Sequence, residues 1–191
     1  MASFKKILLK KIADSNNQSY SANSGFTLVE LIVVVVIIGV LSAIAVPSFT
    51  ASADKAKQKE VSTLLGSYIK AVQSYYTEYS ALPTTRAELG QFVALNGCQF
   101  NTQAQCKNAP PQNYSAQPAA LGSWNSPSGL YNITFATAGT TMTITALPQG
   151  GQFATAGFAT QACFNTATAI AKVQDKTTKG AAGVNPPISC G

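Results

Sequence analysis

Between Asp14 and Asp54 the only charged side chain is Glu30, and it follows Thr27 by three residues. That is the Thr-x-x-Glu spacing of a capping box, in which hydroxyl and carboxylate satisfy the first free amides of a helix, and an acid in the first turn also complements the helix dipole. The second group with chemistry to offer is a set of four cysteines, Cys98, Cys106, Cys163 and Cys190. The chain holds no histidine and no CxxC pair, and the cysteine spacings are long and irregular, so disulfides are expected rather than a metal site. Four cysteines permit three connectivities; nearest-neighbour pairing, Cys98 with Cys106 and Cys163 with Cys190, is the simplest. Beyond the long helix stem the acids are Glu78, Glu88 and Asp175, and no nucleophile motif accompanies them. Neither catalysis nor a metal or other cofactor is expected.

The element that presents Glu30 is an apolar run. From Leu28 to Val46 it is interrupted only by Glu30, Gly39 and Ser42, so a helix from Phe26 to Val46 spans roughly 30 Å, the thickness of a bilayer core. Lys5, Lys6, Lys10 and Lys11 precede it, and lysines on that side hold the amino terminus in the cytoplasm, which puts the cysteines across the membrane where thiols oxidise. The same lysines explain the net charge of +6: residues after 25 carry nine basic and six acidic side chains, an excess too small to indicate nucleic acid as a partner.

Residues 13–25 are polar and without periodicity, and read as accessible linker. Pro47 follows the apolar run, and its missing amide hydrogen predicts a kink or local unwinding. Beyond it Val61, Leu64, Leu65, Tyr68, Ile69, Val72, Tyr75, Tyr76 and Tyr79 fall at helical spacing, giving an amphipathic continuation to about Ser80. The sequence then turns rich in Gly, Pro, Ser, Thr, Asn and Gln. Tyr131, Ile133 and Phe135 alternate with polar residues, as do Met142, Ile144 and Ala146 after Ala138-Gly139, which predicts a β-hairpin. A third strand is expected around Gln152 to Ala159. The fold class is therefore α+β: a long amino-terminal helix, half membrane-spanning and half amphipathic, whose apolar stripe is covered by a small antiparallel sheet. Its parts are a basic leader over 1–25, an apolar helix over 26–46, its amphipathic continuation over 47–80 and a β-rich unit over 81–191. Asn108 to Ala171 carries no charge, as suits either a Thr-rich extracellular β-domain or a surface that packs against neighbours or carries sugar. Asn113-Tyr-Ser and Asn132-Ile-Thr match the glycosylation sequon, a pattern that also arises by chance.

Gly25-Phe26-Thr27-Leu28-Val29-Glu30, running straight into the apolar helix, resembles the signal of type IV pilins and related pseudopilins. The resemblance is close from Ser24 to Ser80 and loosens over the carboxyl half. It implies cleavage between Gly25 and Phe26 by a prepilin peptidase, N-methylation of the new terminus at Phe26, and pairing of Glu30 with the Phe26 amine of a neighbouring subunit. Glycine at the border of polar leader and apolar helix also gives a protease access to the backbone. The implied partners are identical or related pilin subunits, the peptidase, an assembly platform with its ATPase, and the membrane, spanned once in the inner membrane before the subunit enters a cell-surface pilus for motility, adhesion or DNA uptake. A carboxyl loop closed by Cys163 and Cys190 resembles that of many pilins. Gly39, Ser42, Ala43 and Ala45 are small enough for close helix approach, a common feature of membrane helices.

Three other readings compete. Ala43-Ile44-Ala45 resembles an ordinary signal-peptidase site, but the apolar core is longer than such signals carry and leaves Gly25 and Glu30 unexplained. An uncleaved anchor bearing a binding module that never polymerises is the second, and a type II secretion pseudopilin, sharing motif and helix, is the third.

Overall fold

The computed structural model describes residues 25–100, 102–180, 184 and 186–191; the expected leader, residues 1–24, lies outside them. By backbone contacts the chain divides between Val46 and Pro47.

Helix α1 runs from Leu28 to Tyr79. Its helical backbone continues through Pro47, so no unwinding occurs there, although the ring leaves the Ala43 carbonyl without its usual donor. The helix stops where Ser80 donates its amide to the Tyr76 carbonyl at 2.8 Å and adopts a φ of 51°, the left-handed conformation that ends helices. Leu82-Pro83 prevents resumption.

Short elements follow: α2 (Arg86–Gly90), β1 (Asn96–Gly97), α3 (Gln103–Asn108) and β2 (Gln112–Asn113). Thr85 and Glu88 form a reciprocal capping box on α2, and the amides that the Glu88 carboxylate accepts, that of Thr84 first, hold its pKa below the usual carboxylate value. The main sheet is an antiparallel meander of β3 (Ser123–Asn125), β4 (Tyr131–Ala138), β5 (Thr141–Pro148), β6 (Phe158–Asn165) and β7 (Ala171–Lys179), in that spatial order. Ala138 pairs with Thr141, leaving a two-residue turn whose first position is Gly139 at φ 57°, a left-handed value that suits glycine.

The expected third strand is displaced. Phe153–Ala156 forms a single helical turn, α4, and the strand begins at Phe158. All of β6 is buried, because one side faces the core and the other lies under the carboxyl terminus, where the Ile188 amide donates to Gln161 Oε1 at 3.0 Å and Cys190 bonds to Cys163. A strand covered on both faces shows no alternation to read. β7 is paired along β6.

The core joins Val61, Leu65, Tyr68, Ile69 and Val72 of α1 to Trp124, Ile133, Phe135, Met142, Ile144, Ala162 and Phe164 of the sheet. Tyr68 sets its ring 5.9 Å from both Trp124 and Phe135, and Gln58 bridges helix to sheet by donating to the carbonyls of Ala159 and Lys176, each at 2.8 Å. Leu64 and Tyr76 are half-buried and Tyr79 is exposed, so the buried stripe is narrower than its sequence pattern.

Candidate functional site: an exposed apolar helix

Every residue from Gly25 to Thr50 is exposed. Fifteen large apolar side chains of Phe26 to Val46 face outward, Phe26 at 86% and Leu41 at 62% exposure, and Phe49 just beyond extends the apolar surface. At about 1.5 kcal/mol or more per large side chain, leaving them in water forgoes on the order of 20 kcal/mol, beyond the 5 to 15 kcal/mol that holds a typical domain folded. Such a surface needs an apolar partner. Among the described residues α1 is the one helix with a stretch long and apolar enough to cross a membrane.

At its head, the Glu30 amide donates to Thr27 Oγ1 at 3.2 Å, while Glu30 Oε2 accepts from the Thr27 hydroxyl at 3.4 Å and, at 3.5 Å, from its amide. The capping box expected from spacing is therefore formed. It uses one oxygen, at long distances and in the open, so the carboxylate retains capacity for a further cation. No atom lies within 4 Å of where a Cβ on Gly25 would stand, nor of one on Gly39. Gly25, Phe26 and Glu30 thus sit together at one exposed helix end, whereas Pro47 lies inside the helix at the other end of the apolar stretch.

The cysteines belong to a different part of the molecule. Cys98 bonds to Cys106 with Cα atoms 5.8 Å apart, and Cys163 to Cys190 with Cα atoms 6.0 Å apart. Among the described residues no group of three or more His, Cys, Asp or Glu side chains could hold a metal. Of the two sequon asparagines, Asn113 is exposed on β2; Asn132 is half-buried and donates to Asn125 Oδ1 at 3.2 Å.

Residues 20–46 match the family described as the prokaryotic N-terminal methylation motif. The chain is type IV pilin-like. It is 36% identical over 78 residues, 41% of its length, to the fimbrial protein EcpC of Eikenella corrodens, and 41% identical over 68 residues, 36% of its length, to the type IV major pilin protein PilA of Myxococcus xanthus. It is also 36% identical over 91 residues, 47% of its length, to the type II secretion system core protein G of Dickeya chrysanthemi. These alignments cover 51%, 31% and 56% of the respective relatives, so the pilin-like chain spans about half or less of the length of the curated relatives it matches. No solved structure matches. The methylation motif and the exposed apolar helix fit membrane anchoring.

Proposed function

We propose that this pilin-like chain is the structural subunit of a type IV pilus, held in the inner membrane with its amino terminus in the cytoplasm, cut between Gly25 and Phe26 by a prepilin peptidase, methylated on the Phe26 amine, and polymerised through residues 26–46. The observation that carries the reading is the contrast between an apolar helix with every side chain exposed and a disulfide-tied unit after Pro47 with its own core. Leaving the bilayer is possible only if the apolar surface is covered again, and bundling with identical helices does that. Glu30 then has a purpose beyond its cap. A charge in a low-dielectric bundle is costly alone and tolerable when paired, and the Phe26 amine of a neighbour supplies the opposite charge at the matching depth. The chain is the substrate of an assembly platform and its ATPase rather than a catalyst.

A second reading, a type II secretion pseudopilin, is favoured by the longer alignment with core protein G. Intact mass and terminal sequencing of the mature chain, with assay of sheared surface filaments, test both. A methylated Phe26 terminus and recovery in the sheared fraction are expected. A correctly processed chain absent from that fraction would point to the pseudopilin, a terminus at Val46 to an ordinary signal peptide, and an intact leader to a non-polymerising anchor.

A further inference from the structure

Charge is unevenly placed in the unit after Pro47. One groove of about 510 Å³ is lined by Lys55 and Lys59 of α1, Phe158 of β6 and Asp175, Lys176 and Lys179 of β7. Lys55, Lys59 and Lys179 against one carboxylate give the groove a net charge of +2, two of the three excess positive charges that the chain carries after residue 25, while Lys176 lines it with backbone, its carbonyl accepting from Gln58 at 2.8 Å. Asp175 is already occupied, pairing with Lys59 and accepting from Thr160 Oγ1 at 3.1 Å. Lys55 and Lys179 have no carboxylate partner among the described residues. Lys176 turns its ammonium to the opposite face of β7, where it donates to Gln174 Oε1 at 3.1 Å and the Pro186 carbonyl at 2.7 Å. Cations gathered with too few carboxylates repel one another, and an anion in the groove relieves that repulsion. Lys179 lies over the Phe158 ring at 5.9 Å, so one wall is apolar and the rim cationic.

From this segregation we infer that the groove binds a phosphate-bearing anion. Its source follows if residues 26–46 occupy a bilayer, a premise taken from the proposed function. Lys55 stands about 12 Å of helix rise beyond Pro47, so a lysine side chain roughly 6 Å long brings its ammonium to the headgroup layer. Anionic headgroups attract each nearby lysine by a useful amount, and the attraction fades within a Debye length of about 8 Å at physiological salt. An anionic lipid phosphate in the groove seats the unit on the membrane until assembly removes the subunit.

The test uses the mature full-length chain in nanodiscs of phosphatidylcholine, in the same discs with inorganic phosphate at matched ionic strength, and in discs containing phosphatidylglycerol. Amine acylation of each lysine is followed by peptide mass spectrometry. Lys55 and Lys179 should react about five-fold more slowly when the groove is filled, with Lys70 and Lys107 nearly unchanged. Slowing with phosphatidylglycerol alone assigns the lipid, and slowing with free phosphate assigns a soluble source; either supports the groove. Lys59→Gln/Lys179→Gln, both at exposed side chains, should abolish the protection read at Lys55. Co-elution with the discs reports anchoring separately, so a chain that fails to insert still reads the groove in the phosphate arm. Uniform slowing of all lysines, no slowing in either arm, or protection of Lys55 that survives the double substitution overturns the inference.

Discussion

The two halves of α1 share a backbone and little else. Before Pro47 the helix is apolar around its whole circumference and entirely exposed; after it, one stripe from Val61 to Val72 is buried and the other faces carry lysines, serines and threonines. Val35 is 54% exposed and Leu65 fully buried, although both are aliphatic residues of one helix. The difference shows what a sequence periodicity measures. A stripe means that the chain supplies its own cover, here the sheet, whereas apolarity on every side means that the cover comes from outside, from lipid or other helices.

The sharpest break of that comparison is Glu30→Ala, which removes the one charge of the exposed half. Processing should continue, since Gly25 and Phe26 are untouched, while surface filaments are lost or greatly reduced. Were Glu30 only a cap, its loss would cost about 0.5 to 2 kcal/mol, which a helix held by lipid tolerates. Normal filament yield on shearing would therefore rule out the pairing role. Next in size, Leu65→Ala should destabilise the unit after Pro47 by about 2 to 5 kcal/mol, and Val35→Ala should leave it unchanged. Trp124 is the chain's only tryptophan and is stacked on Phe135 at 4.8 Å, so denaturant titration of its fluorescence in detergent reads that unit. Equal destabilisation by both variants would mean that the halves do not differ as described.

What could be read in advance follows the same physics. Alternation marks strands with one face covered, and the hairpin of Tyr131, Ile133 and Phe135 against Met142, Ile144 and Ala146 was legible for that reason. β6 lacks alternation because the carboxyl terminus covers its second face, and its start was misplaced at Gln152. β7 carries Lys172, Asp175, Lys176 and Lys179, charges that suit the outer strand of a sheet and break the apolar alternation after Val173. β3, only three residues long, offers no period at all. At the exposed helix end Thr27 and Glu30 are near neighbours in sequence, so their cap was visible from spacing. The basic groove was not, because Lys59 and Asp175 meet across 116 residues.

The disulfides sharpen the comparison within the covered half. In the loop-entropy model the bond spanning 27 residues stabilises by roughly 3.6 kcal/mol and the one spanning 8 by roughly 2.6 kcal/mol. Cys190→Ser should accordingly lower the melting temperature more than Cys106→Ser. Because β7 is hydrogen-bonded along β6, the released segment should be cut by a broad-specificity protease only after Lys179. Cleavage within β7 would show that the bond, and not the strand pairing, holds the tail.

The smallest effect concerns Tyr68, buried against Trp124 and Phe135. Burial pushes its hydroxyl from the ordinary 10.0 up to about 12. An unfolded chain gives up this proton near pH 10 while the folded chain retains it, so the folded state binds more protons in between and stability falls as pH rises. The contribution is fully present below pH 10 and is lost progressively up to about pH 12, amounting to roughly 2 to 3 kcal/mol. Tyr131 shifts the same way, also through burial. Lys176, lowered by burial and by Lys172, acts oppositely, since it sheds its proton sooner when folded. Subtracting the curve of Tyr68→Phe from that of the native chain isolates the one hydroxyl. The native chain should lose stability faster than the variant across this window, read by the same tryptophan fluorescence. Superimposable curves would mean that Tyr68 titrates as if in water, and the stripe on the second half of α1 would then be less well covered than the first half's exposure makes it look.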